Sequence, residues 1–169
     1  MPIGQWLVRL IEAVLLILGR LGLVEETRPT PTPTPTELAG PTHLVVDVID
    51  GDTVFLENGE SVRYLGIDAP ETHHPVRGQE CYGPEATERN RQLVDGQRVR
   101  LEGDVTDKDR FGRLLRYVYV GDVFVNAELV DEGYAYSYYR PPDTKHYELL
   151  LDLELGAEEA GRGLWEACK

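Results

Sequence analysis

Over the first 24 residues, "MPIGQWLVRLIEAVLLILGRLGLV", only Gln5, Arg9, Glu12 and Arg20 interrupt an apolar chain. At 100° per residue those four share a narrow stripe, so a helix here is apolar over most of its surface. The unbroken run from Ala13 to Gly19 is shorter than the ~20 residues of a conventional membrane span. Three readings stay open: a membrane-associated signal anchor, a cleaved export signal without a clear A-x-A site, and a soluble helix for a partner. "TRPTPTPTPTELAGP" then alternates threonine with proline, which removes backbone donors and favours extended polyproline geometry. Residues 25–41 read as a semi-rigid spacer, or as a tail without a role if the first segment is removed.

From Leu44 onward the pattern shortens to strands, near 43–50, 53–58, 61–67, 98–104 and 114–120. Asn58-Gly59 inside "ENGE" is a strong hairpin signal between the second and third. Helices fit 84–95, opened by Pro84 and Glu85, then 126–132, stopped by Gly133, and about 144–160. Residues 42–169 therefore read as one α+β domain. Five short strands with helical insertions suit a small closed Greek-key barrel of the oligonucleotide-binding type.

The apolar share of 41% is ordinary for such a core, whereas the charge is not. Thirty acids oppose 17 bases, giving −13, and only Lys108, Lys145 and Lys169 are lysines. An acidic, lysine-poor, arginine-using surface is the composition of a protein kept soluble in high salt. It opposes long-range attraction to nucleic acid. At 1 M salt, screening falls to about 3 Å, so individual arginines could still bind phosphate.

Four stretches carry candidate chemistry. In "VVDVIDGDTV", Asp50 and Asp52 share one face of an extended chain and repel unless a cation or base neutralises them; a plain turn pair is the alternative. "VRYLGIDAPE" places Arg63, Asp68 and Glu71 around a strand end. Arg63 and Asp68 are five apart, so a regular strand sends them to opposite faces, and a bend at Gly66 would be needed to join them. With Asp50 and Asp52 these acids could form a hard oxygen site for Ca²⁺. His73 and His74 lack further ligands at zinc spacing and read as surface histidines. "DKDRFGRLLR" sets Arg110 and Arg113 just before a strand, where guanidinium forks could take phosphate or simply cover a hairpin. "GYAYSYY" offers tyrosines that could stack on bases or pack against the barrel.

"VIDGDT", "VRYLGIDAPE", "CYGPEA", "DRFGR", "VNAELVDEGYA" and the closing "GLW" occur in the order found in the staphylococcal nuclease (thermonuclease) family. The chain resembles that family from Leu44 to Trp165, essentially the whole folded part. The resemblance implies an OB-fold barrel with three helices and a Ca²⁺-dependent phosphodiesterase acting on DNA and RNA, leaving 3′-phosphate ends. It implies metal binding by Asp52 and Asp68, with the backbone carbonyl of Ala69, where the best-known member has threonine, and Asp50 behind them. Glu71 matches the general base, and Arg63 and Arg113 match the phosphate-binding arginines. Arg110 stands where lysine is common in the family. The tyrosine loop, Gly133 to Pro141, is two residues shorter than the familiar version, so the stacking roles stay open among Tyr136, Tyr138 and Tyr139.

The resemblance also bears on Cys81 and Cys168. In the family fold the C-terminal tail runs back near the first helix, so the two could pair if the domain is exported. A bridge would close a loop of about 87 residues, which chain-entropy reasoning values at up to roughly 4 kcal/mol. The expectation is thus a secreted or membrane-anchored nuclease facing outside the cytoplasm, monomeric in its catalytic domain, with membrane contact through the first helix. A surface-tethered module that holds Ca²⁺ or nucleic acid without cleaving it is the rival.

Overall fold

The computed structural model describes residues 40–72 and 78–169. The hydrophobic segment 1–24, most of the spacer, and His73 and His74 lie outside the described residues. Among the described residues no helix is long and apolar enough to cross a membrane.

Among the described residues eight strands and four helices follow one another. They are β1 (Thr42–Asp50), β2 (Thr53–Leu56), β3 (Ser61–Tyr64), β4 (Ile67–Asp68), α1 (Gly83–Val94), β5 (Arg98–Glu102) and β6 (Leu114–Val120). After them come β7 (Val123–Phe124), α2 (Val125–Asp131), β8 (Tyr136–Ser137), α3 (Tyr147–Glu159) and α4 (Leu164–Ala167). β3, β2, β1, β5 and β6 lie side by side, and β3 pairs in parallel with β6, closing a five-stranded barrel. Closure removes the sheet edges, and the inward set Val45, Val48, Val54, Leu56, Val62, Val99 and Val118 fills the interior. Val125, Leu129 and Val130 of α2 and Leu150 of α3 extend that core, and Ala86 and Val94 of α1 join it.

The five barrel strands and three longer helices lie where the hydrophobic pattern places them, with shifts at their ends. The third strand stops at Tyr64 instead of running to residue 67, because Gly66 takes φ 74°. That left-handed residue breaks the pleat, and the chain restarts as β4, paired not with the barrel but with β8. The second strand ends two residues early, at the Asn58-Gly59 turn, and the fifth at Glu102. α3 starts at Tyr147 rather than near 144, since Asp143 is instead buried and accepts the Thr106 N–H at 2.7 Å. β7, β8 and the single turn of α4 are too short for periodicity to reveal.

Candidate active site

Asp52 sits in the turn between β1 and β2 and is almost wholly buried. Its Oδ2 accepts the Ala69 N–H at 2.8 Å and its Oδ1 accepts the Thr53 hydroxyl at 3.1 Å. Arg63, on β3, reaches both acids that the resemblance assigns to metal. Its Nη1 lies 2.6 Å from Asp52 Oδ2 and its Nη2 donates to Asp68 Oδ1 at 2.6 Å. The Gly66 bend makes this reach possible, and Arg63 fastens it by donating to the Ile67 carbonyl at 3.0 Å. Asp50 stands behind, its Oδ1 accepting the Asp52 N–H at 3.1 Å. So Asp50, Asp52, Arg63, Asp68 and Ala69 form one connected group.

The charges in this group do not balance. Burial pushes the Asp52 carboxyl well above the usual carboxylate range; Arg63 pulls it down, and Asp50 adds to the rise. The Arg63 guanidinium that opposes this rise is shared with Asp68. Glu71, half-buried, is also raised, by desolvation first and then by Asp50, with Arg63 opposing and Asp68 and Glu80 adding. Among the described residues no three His, Cys, Asp or Glu side chains are grouped as a metal cage. What the site offers is two carboxylates touching one cationic group, with the Ala69 backbone beside them. That donor set fits a hard divalent cation completing its shell with water, and an added positive charge there answers the excess of acids.

Arg113 heads β6, the strand paired with β3, one residue before the Leu114 that lies opposite Val62. Asp109 holds it, Oδ2 accepting from Nε at 2.8 Å while Oδ1 accepts the Arg113 and Phe111 N–H groups. The terminal nitrogens of Arg113 have no protein partner among the described residues. Arg110 makes no salt bridge among them either; its guanidinium lies 4.7 Å from the Phe111 ring centre. Tyr136 is the strand partner of Asp68, and its ring meets Trp165 edge-on at 5.3 Å. Tyr138 and Tyr139 are exposed; the first donates its N–H to the Gly66 carbonyl at 2.8 Å, and the second packs on Tyr147. Tyr136 thus joins the acidic group through backbone pairing, and among the described residues the side chains of Arg113 and the tyrosines make no hydrogen bond to it.

The reading of the motifs gave no role to three residues beside the site, two of which, Phe111 and Asn126, lie within "DRFGR" and "VNAELVDEGYA". Asn90, buried within α1, donates to the Asp50 carbonyl at 2.9 Å and accepts from the Tyr64 hydroxyl at 3.0 Å. Asn126, buried in α2, donates to the Leu65 carbonyl at 2.8 Å and accepts the Val118 N–H at 2.9 Å. The two asparagines pin the segments that carry Asp50 and the Gly66 bend. Asparagine on a helix's apolar face is the clue that could have found them. Phe111 is 70% exposed between Arg110 and Arg113, and an aromatic flanked by arginines was the available sign.

Cys81 and Cys168 are joined by a disulfide, with Cα atoms 5.9 Å apart.

A model of the staphylococcal nuclease homologue family matches residues 61–167. The chain belongs to that family. It is 37% identical over 134 residues to the thermonuclease of Staphylococcus intermedius, covering 78% of this chain and 80% of that one. Identity to the Staphylococcus hyicus thermonuclease is 35% over 127 residues, 73% of this chain and 75% of the relative. A Bacillus subtilis protein, endonuclease YncB, is 39% identical over 122 residues, which are 69% of this chain and 58% of that protein.

Proposed function

We propose that this member of the nuclease family is a Ca²⁺-dependent endonuclease that hydrolyses the phosphodiester bonds of DNA and RNA. The observation that carries the reading is the single guanidinium spanning buried Asp52 and Asp68, with Glu71 three residues beyond. The names of the relatives, thermonucleases and endonucleases, support the same chemistry.

Asp52, Asp68 and the Ala69 carbonyl would hold the ion, with Asp50 orienting Asp52 from behind. When bound, Ca²⁺ supplies Lewis-acid polarisation of the phosphoryl oxygen and neutralises charge there. Glu71, its carboxyl raised above the usual carboxylate range by desolvation, accepts the proton of the water that attacks phosphorus. The bond from phosphorus to the leaving 5′ oxygen breaks, and that oxygen takes a proton from solvent, leaving a 3′-phosphate. Arg63, relieved of its two acids, and Arg113, through its unpaired terminal nitrogens, stabilise the equatorial oxygens as charge builds. Arg110, whose guanidinium makes no salt bridge among the described residues, can hold a neighbouring phosphate, and exposed Tyr138 and Tyr139 can stack on bases. Tyr136, already packed on Trp165, shapes the wall beside Asp68.

The catalytic domain acts as a monomer outside the cytoplasm, secreted or held to a membrane by the hydrophobic N-terminus and the Thr-Pro spacer. The Cys81–Cys168 disulfide supports an oxidising compartment.

Digestion of plasmid DNA and of RNA with Ca²⁺, and with excess chelator, tests the metal; undiminished cleavage in chelator overturns that part. Glu71→Gln should lower turnover by roughly 10²–10⁴-fold at an unchanged melting temperature, and cleavage at the parental rate removes Glu71 as the base.

A further inference from the structure

Glu71 is gripped from across its own loop. The Glu80 N–H donates to the Glu71 carbonyl at 2.9 Å, and Glu80 Oε2 accepts the Glu71 N–H at 3.1 Å. One residue therefore satisfies both backbone groups of the proposed base. Gly83 closes against the same carbonyl, where a Cβ would lie only 2.6 Å from the Glu71 oxygen, so no other residue fits without moving the chain. Directly after Glu80 comes Cys81, covalently joined to Cys168 at the end of α4. α4 is itself anchored, since Leu164 is buried and its N–H donates to the Gly133 carbonyl at 2.8 Å. A continuous path thus runs from the barrel's packed helices through α4, the disulfide and Glu80 to the Glu71 backbone.

We propose that Glu80 is a positioning residue for Glu71 and that the Cys81–Cys168 disulfide holds it in place, so that the bridged protein hydrolyses its substrate faster than the unbridged one. The proposal rests on Glu71 acting as the base. Its physical ground is that a base must sit within hydrogen-bond reach of the proton it takes, and a displacement of about 1 Å can cost on the order of 10²-fold. Cys81 is exposed, so a small dithiol can reach the bridge. The dithiol delivers two electrons and two protons, leaving two cysteine thiols and itself as a cyclic disulfide.

Steady-state cleavage of a short DNA oligonucleotide at saturating Ca²⁺ tests this, on the full chain, at a temperature where circular dichroism shows every variant folded. Cys81→Ser with Cys168→Ser should lower kcat by roughly tenfold to 10²-fold, with KM within about twofold of the parent. Dithiol reduction of the parent should reproduce the loss, and it serves alone if the double variant fails to fold. Glu80→Ala should lower kcat similarly, whereas Glu80→Gln, which keeps an acceptor for the Glu71 N–H, should restore most of it. In a Glu71→Gln background, breaking the bridge should change little, because the residue it positions no longer acts. A folded, unbridged protein with parental kcat overturns the proposal. So does a loss of equal size in the Glu71→Gln background, which would mean the bridge acts elsewhere. If Glu71→Gln itself cleaves at the parental rate, the base assignment fails first, separately from the bridge.

Discussion

Asp52 lies between β1 and β2 with the Arg63 guanidinium at 2.6 Å; Glu102 ends β5 with the Lys145 ammonium at 2.5 Å, the His146 imidazole at 3.1 Å and the Tyr119 hydroxyl at 3.1 Å. Both carboxylates meet cations, yet they titrate in opposite directions. Burial pushes Asp52 up and its one, shared guanidinium does not reverse this. Partial burial pushes Glu102 up too, but hydrogen bonds from Lys145, His146 and Tyr119 outweigh it and hold the carboxyl down to about 2. The side chains are 6% and 22% exposed, so the difference lies in desolvation and in the number of donors together. Glu102 is a satisfied acid that ties β5 and β6 to the start of α3. Asp52 is an under-neutralised one, buried beside a single guanidinium that it shares with Asp68. That asymmetry separates a structural ion cluster from a site built for a ligand.

The comparison breaks most visibly at Asp52. Asp52→Asn keeps an acceptor for only one of the Ala69 and Thr53 donors, which use different oxygens, and removes the negative partner of Arg63. It should abolish about 10³-fold or more of the cleavage rate, corresponding to the several kcal/mol a bound ion contributes. Its melting temperature should fall, because the largely buried Arg63 guanidinium loses a partner, so cleavage is compared at a temperature where both proteins are folded. A folded variant that cleaves at the parental rate would place Asp52 in the structural class with Glu102.

Arg113→Ala sharpens the contrast from the cation side. Asp109 uses only Nε of Arg113, so the expected loss is in turnover, about 10²–10³-fold, with the loop before β6 otherwise folded. Steady-state kinetics beside thermal melts would separate the two effects.

The smallest effect belongs to Glu102. Glu102→Gln should leave kcat at the parental value and cost about 0.5–1 kcal/mol of stability at pH 7. Because the folded carboxyl titrates near 2, below its ordinary value, the stability it contributes is complete above about pH 4.5 and is lost as pH falls toward 2. Denaturant melts at pH 7, 4.5 and 3 should therefore show a shallower acid loss in the variant than in the parent. Equal slopes would remove Glu102 from the account of acid unfolding.

Much of the fold was legible because barrel strands and amphipathic helices write their burial into the order of residues. Val45 and Val48, or Val54 and Leu56, mark the inward face, and Asn58-Gly59 marks a hairpin whatever surrounds it. The candidate acids and arginines were legible as motifs, since "VIDGDT" and "VRYLGIDAPE" keep the chemistry within short stretches. Their connection was not. A regular strand would separate Arg63 from Asp68, and only the φ of Gly66, next to the Leu65 carbonyl that Asn126 holds from 61 residues along the chain, brings them to one point.

The sequence by itself therefore determined the barrel's strands, its three main helices and the inventory of charged groups, because each depends on neighbours a few residues apart. Tertiary structure alone decided that one arginine spans two acids, that Asp52 is the buried and under-neutralised one, and that Glu80 closes on Glu71 beside a cysteine bridged to the last turn. These are matters of burial and of pairing across 5 to 87 residues. The free energy of a charge depends on the water removed from it and on the groups brought to it, and neither exists until the chain has closed.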